Sequence, residues 1–158
     1  MTVEEEILED EVARWVTFQL ENETYGINVE QVKEVLRVSE IAPVPGAPDY
    51  VLGIINLRGN VVTVVDTRKR FGLMPAETTD ASRIVIIEVE GQEIGMLVDS
   101  VAEVMELSLS AIETAPNVGN EDSSRYIQGV ASQEGQLLIL VDVNRFLDES
   151  ELAEVTSF

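Results

Sequence analysis

Tyr50-Val51-Leu52-Gly53-Ile54-Ile55-Asn56-Leu57-Arg58-Gly59-Asn60-Val61-Val62-Thr63-Val64-Val65-Asp66 is two apolar runs of strand length around a polar turn, and it is nearly matched later in the chain. At an offset of 76 it meets Tyr126 to Asp142, and five of the seventeen positions are identical: Tyr50 with Tyr126, Gly53 with Gly129, Gly59 with Gly135, Val65 with Val141 and Asp66 with Asp142. Each run therefore predicts a hairpin whose glycine accepts a positive φ, followed by an aspartate placed to cap the helical patterns at Thr67–Phe71 and Val143–Leu147.

Upstream, Tyr25 to Leu36 meets Ile94 to Met105 at an offset of 69, with Gly26, Val29, Val32, Glu34 and Val35 recurring as Gly95, Val98, Val101, Glu103 and Val104. The change of offset falls where the second copy carries a polar loop, Asn117 to Ser124, a place where insertions are tolerated. Two copies of a strand-rich unit predict a mainly β fold of two small barrels or closed sheets packed on one another. About sixty residues make one unit marginal alone, so an extensive apolar interface is expected between them, with a groove as the natural binding surface.

The elements between are less regular. Trp15 to Leu20 and Tyr25-Gly26-Ile27 read as a hairpin, as do Arg83 to Val89 and Ile94 to Val98. Val29, Val32, Val35 and Leu36 fall at helical spacing with Glu30, Lys33, Glu34 and Arg37 opposite, which predicts a short amphipathic helix. Gly72 to Asp80 reads as a linker between a first unit at about 14–79 and a second at about 80–148. Residues 1–13 form an acidic tail, and the acidic segment 149–158 is a candidate helix.

The formal charge is -20, from 30 acidic and 10 basic residues. Ten of the acids lie at the two ends, which leaves the body with 20 acids against the 10 bases. Such a balance repels phosphate backbones and anionic lipid, which makes nucleic acid and membrane surface poor candidate partners, and neither nucleic-acid binding nor direct membrane insertion is expected. The absence of cysteine and histidine removes disulfides, thiol nucleophiles, imidazole bases and the usual zinc ligands. No phosphate loop, dinucleotide fingerprint or calcium loop is present, so no cofactor is expected. The start lacks the basic and apolar segments of a signal peptide, making a cytoplasmic location the default. A carboxylate-dependent hydrolase using a pair such as Asp66 and Asp142 is the competing class; it requires a deep pocket and raised pKa values.

The two hairpin turns separate fold from function. Asn56-Leu57-Arg58-Gly59 becomes Ser132-Gln133-Glu134-Gly135 in the second copy, so the fold requires the glycine but not the arginine. Arg58 beside Leu57 reads as a partner anchor, and a solvated turn residue paired with an acid such as Glu34 is the alternative. Trp15, Met96 and Met105 read as core.

The run Gly53 to Val62 through Val65-Asp66-Thr67-Arg68, with Tyr25-Gly26-Ile27 upstream and Ile41-Ala42-Pro43-Val44-Pro45 between, strongly resembles the CheW-type chemotaxis coupling proteins, over about Trp15 to Leu147. The resemblance implies two tandem five-stranded SH3-like β-barrels that share a hydrophobic core, with short helices. It implies an adaptor without catalysis, recruited to arrays at the inner face of the membrane, which bridges the cytoplasmic tips of chemoreceptors to the regulatory domain of a histidine kinase, with a further capacity to join itself in rings. Receptor-binding positions carried over from the family are Val32, Glu34, Gly53 and Arg58, to which the turn adds Leu57. A coupling-type scaffold of another signalling array, or an adaptor that has lost an attached receiver domain, is the alternative within the binding class. Thr63 and Thr67 stand where the family often has proline and leucine.

Overall fold

The computed structural model describes residues 11–113 and 125–156, which leaves most of the acidic N-terminal tail and the loop Asn117 to Ser124 outside the described residues. Ten strands form, in order β1 (Val12–Leu20), β2 (Glu23–Asn28), β3 (Val32–Arg37), β4 (Val51–Leu57), β5 (Asn60–Asp66), β6 (Arg83–Val89), β7 (Gln92–Val98), β8 (Ser100–Ser108), β9 (Ile127–Gln133) and β10 (Gln136–Val141). Helix α1 (Thr67–Arg70) follows β5, and α2 (Glu149–Thr156) closes the described chain, as the acidic C-terminal segment predicted.

The fold is mainly β, two five-stranded SH3-like barrels sharing a core, but the halves of the chain are not the barrels. One sheet runs β8-β1-β2-β10-β9 and the other β3-β6-β7-β5-β4. Each half contributes its first hairpin to one sheet and its next three strands to the other. The expected division into a first barrel at 14–79 and a second at 80–148 is therefore corrected: the sequence repeat is real, while the sheets are exchanged between repeats. The exchange is made by two parallel pairings, β2 with β10 (Tyr25 opposite Ile139) and β5 with β7 (Thr63 opposite Ile94). These two register pairs are equivalent under the offsets of 69 and 76.

Three cores result. Trp15, Leu107, Ala131, Leu138 and Leu140 fill one barrel, while Ile55, Val62, Val64, Ile84 and Ile86 fill the other. The largest cluster lies between them and takes Phe18, Leu20 and Ile27 from one sheet and Val85, Ile87, Ile94 and Met96 from the other. An aromatic chain runs through it, Phe18 to Tyr25 to Phe71 to Tyr126, with ring centroids 5.6, 5.5 and 5.3 Å apart. Offset and tilted rings at this spacing are favourable beyond their buried area. Alternation explains the division: along β6, Ile84 and Ile86 face their own barrel, while Val85 and Ile87 face the other.

The segment read as a helix at Val29–Arg37 is instead one short 3-10 turn, Val29–Gln31, followed by strand β3. A bulge between Val32 and Glu34 inserts one residue into the pairing with β6. That insertion puts Val32 opposite Ile87 and Val35 opposite Val85, which turns the period of two into a spacing of three.

Both aspartates cap as predicted, Asp66 Oδ1 accepting from the Lys69 amide at 3.3 Å and Asp142 Oδ1 from the Asn144 amide at 3.0 Å. The connection after α1 is held by Arg68, whose Nε donates to Asp99 Oδ1 at 2.8 Å and whose Nη1 donates to the Met74 carbonyl at 3.0 Å. Burial alone would push the Asp99 carboxyl up, but hydrogen bonds from the Arg68 guanidinium and the Glu21 amide outweigh it and hold the group below the usual carboxylate range. A depressed folded-state pKa stabilises above the unfolded value and is lost as pH falls through the folded one. Asp99→Asn should therefore destabilise the protein at pH 7, with the gap to wild type closing below about pH 4. Urea unfolding at the two pH values checks this, and a gap independent of pH would contradict it.

Candidate functional site

The β4–β5 turn takes its shape from its two central residues. Arg58 and Gly59 both have positive φ, 51° and 89°, the geometry that matches the twist of a two-residue hairpin. Glu134 and Gly135 repeat it at 52° and 80°, and Glu90 and Gly91 at 48° and 80°. Asn56 Oδ1 accepts from the Gly59 amide at 2.8 Å and braces the turn. From this turn the Arg58 side chain reaches edge strand β3. There Nη1 and Nη2 donate to the two carboxylate oxygens of Glu34 at 3.1 and 2.6 Å.

The pairing that the sequence left as the alternative reading is thus present, yet Arg58 stays 71% exposed in its side chain. Both properties coexist: Glu34 holds the guanidinium in one orientation, and most of its surface faces solvent. Hydrogen bonding from Arg58 lowers the Glu34 pKa, so the pair stays charged through the neutral range. In the other barrel Glu103 and Glu134 occupy the equivalent positions, both exposed and both acidic.

Leu57 is half-buried and rests on the core cluster of this barrel. Val32 is also half-buried, but beyond the bulge, against the cluster between the barrels. The sequence candidates therefore separate: Arg58 pairs with Glu34 beside Leu57, which packs on this barrel's own core, and Val32 lies at the edge of the inter-barrel core rather than on a helix.

Gly53 is buried and touches no solvent-facing site directly. It stands at a bulge in β4 with φ +155, and a Cβ there would lie 2.1 Å from the Ala42 carbonyl oxygen. Its missing side chain lets the chain leaving β3 bridge to β4, Ala42 and Ile54 exchanging two backbone hydrogen bonds of 2.9 Å. That bridge floors a groove of about 480 Å³ lined by Glu40, Ile41, Ala42, Ile54, Ile55, Asn56 and Val61. Gly53 lies beneath this surface and shapes it through the bridge.

Two residues of the surface escaped the sequence reading. Val61 is 64% exposed beside the turn, directly across from Asn56, and Val35 is 40% exposed on β3. Their repeat equivalents, Leu137 and Val104, are exposed as well. Alternation marks Val61 as outward-facing once the register Leu57↔Asn60 is known, but the run Val61-Val62 hides it in sequence.

Nothing at this site resembles a reaction centre. Among the described residues no group of three or more acidic side chains is placed to hold a metal ion. The carboxylates with resolved shifts, Glu34 and Asp99, both move down rather than up. Among the described residues no helix is long and apolar enough to cross a membrane.

Comparison with known proteins agrees with this reading. A family model described as the CheW-like domain matches residues 14–151. The chain is 38% identical over 136 residues to the chemotaxis protein CheW of Bacillus subtilis, covering 86% of this chain and 87% of that protein. It is 34% identical over 152 residues to the chemotaxis protein CheW of Treponema pallidum, covering 94% and 89%. A solved structure, the scaffolding protein TtCheW from Thermoanaerobacter tengcongensis, superimposes with a TM-score of 0.81 at 32% identity, over 87% of this chain and 94% of that one.

Proposed function

The chain belongs to the family of CheW-like domains, and from that premise we propose that this non-catalytic chemotaxis scaffold couples the cytoplasmic tips of chemoreceptors to the regulatory domain of a histidine kinase. The receptor hairpin is held on the surface formed by Val32, Glu34, Leu57 and Arg58, with Val35 and Val61 beside it and Gly53 shaping it from below. The kinase takes another face of the molecule. Recruitment to the inner face of the membrane then comes through the receptors, and self-association would extend the array into rings.

The observation that carries this reading is the Arg58–Glu34 pair at the tip of a hairpin, with three of the guanidinium's five N–H donors left over by Glu34 and the arginine side chain 71% exposed. Such an arrangement fixes register through oriented charge, while the valines supply apolar contact. A fold requirement does not explain the arginine, because the other barrel builds the same turn with Glu134.

Arg58→Ala and Arg58→Glu should therefore fold normally and weaken binding. In arrays reconstituted from this protein, its receptors and its kinase, Arg58→Ala is expected to lower receptor affinity roughly tenfold, the scale of an arginine anchor at an interface. Melting temperature and far-UV circular dichroism should stay at wild-type values. Kinase activation by Arg58→Ala equal to that of the wild type would overturn the assignment.

A further inference from the structure

At residue 37 the internal repeat changes sign. In the barrel that contains β1 and β8, Arg14 and Glu106 are cross-strand partners and pair at 3.1 Å. Shifted by 69 residues, the same two positions in the other barrel are Arg83 and Arg37, again cross-strand partners in register. The basic member is kept and the acidic member has become a second arginine. Like charges directly opposite each other destabilise a sheet. In a chain with 10 bases and 30 acids this is also the arrangement that composition least favours.

The two arginines are not equally satisfied. Arg83 is half-buried, and its Nη1 donates to the carbonyls of Asp80 and Ser82, both at 2.8 Å. Arg37 is exposed at the end of edge strand β3 and has no hydrogen bond or ion pair among the described residues. It lines an open cavity of about 540 Å³ with Val38, Thr79 and Asp80. Val35, two residues back on the same face of β3, adds exposed apolar surface. The other nearby cation, Lys33, is already engaged by Glu88 at 2.7 Å.

We propose that Arg37 and Arg83 form a docking point for a glutamate or aspartate side chain in an acidic segment of a partner protein. That carboxylate completes across an interface the pair that Arg14 and Glu106 make within the chain. Two neighbouring guanidiniums suit a carboxylate, which each can grip with two parallel hydrogen bonds. The Asp80 carboxylate at the rim opposes any anion, and it opposes a doubly charged phosphate more than a singly charged carboxylate.

The probe is a hexaglutamate peptide titrated into the full chain at about 0.1 M salt, where the repulsion of the acidic body is screened beyond roughly 10 Å. Nuclear magnetic resonance of the backbone amides and arginine Nε–H groups is the readout. Saturable shifts at Arg37, Val38, Thr79 and Arg83 are expected. Arg37→Gln should weaken binding, Arg37→Glu should abolish it, and Asp80→Asn should strengthen it severalfold. Arg37→Glu restores the pattern of the other barrel, so its melting temperature should equal or exceed that of the wild type. The proposal is overturned by the absence of saturable shifts at these residues, by shifts that persist in Arg37→Glu, or by a lower melting temperature of that variant. Inorganic phosphate binding here more tightly than the peptide would also overturn it and identify a phosphate site instead.

Discussion

Replacing Gly53 by alanine is expected to destabilise the protein by about 3 kcal/mol or more, the combined scale of backbone strain and overpacking. The residue has φ +155, and an added Cβ would meet the Ala42 carbonyl oxygen at 2.1 Å, with Ile41 Cγ2 at 2.9 Å. A backbone carbonyl cannot move aside as a flexible side chain can. Relief of the clash requires breaking the two hydrogen bonds between Ala42 and Ile54, which join the chain leaving β3 to the far edge of its sheet. Gly59→Ala provides the contrast. Its φ of +89 carries a penalty of about 1 kcal/mol, but nothing lies within 4 Å of its Cβ position. Denaturant unfolding of the two variants should rank them in that order. A cost below about 1 kcal/mol for Gly53→Ala would refute the close approach as the reason for the glycine. Because the bridge floors the groove beside the turn, the same variant should also impair receptor coupling, and its stability must be measured before any lost contact is inferred.

Arg70→Ala is the second large effect, also about 3 kcal/mol. The Arg70 side chain is 8% exposed and pairs with Glu151 of α2 at 2.6 Å. Its Nε donates to the Phe146 carbonyl at 2.9 Å, and its guanidinium carbon lies 4.8 and 5.1 Å from the ring centroids of Tyr50 and Tyr126. These tyrosines are repeat equivalents, one from each half, so a single arginine joins both halves to the C-terminal helix. Truncation leaves a carbonyl without its donor and a partly buried carboxylate without its cation, and both are costly. Arg70→Lys should recover only part of the loss, since an ammonium cannot stack on two rings and reach two acceptors together. Hydrogen exchange provides the structural check: α2, tied to the sheet otherwise by Leu152, Val155 and the Thr63 hydroxyl donating to the Val155 carbonyl at 2.6 Å, should lose protection first. Unchanged protection of α2 in Arg70→Ala would rule out this clamp.

Legibility in the sequence followed the range of each interaction. Hairpins, turn glycines and aspartate caps were readable because all their determinants lie within a few residues, as with Arg58-Gly59 and Glu134-Gly135. The duplication was readable because equivalent positions in the two halves meet equivalent environments. Which hairpin joined which sheet was not, because the parallel pairings of β2 with β10 and β5 with β7 unite residues far apart in sequence and leave no periodic mark. The misread helix at Val29–Arg37 has a local cause, the bulge that gave β3 a spacing of three. At the site, comparison of the two copies singled out Arg58 as a position the fold does not dictate, but it could not separate a buried glycine that shapes a groove from a residue that lines one. Arg70 was invisible for the same reason: its partners at 50, 126, 146 and 151 converge only in the fold.

The exchange of strands between the two sheets also sets an order in time. β1 pairs with β8, Val12 lying opposite Ser108, and β2 pairs with β10, which ends at Val141. During synthesis the first hairpin therefore leaves the ribosome long before its neighbours exist. At translation rates of about 5–20 residues per second, the interval from Leu20 to Val141 is roughly 6–24 s. Until near its end Trp15 lacks Leu138 and Leu140, two of the residues that fill its barrel core. The chain immediately before Trp15 reads Glu4, Glu5, Glu6, Glu9, Asp10 and Glu11, a block of like charge next to the first strand of this waiting hairpin. Charges flanking an exposed apolar strand hinder its pairing with another nascent chain.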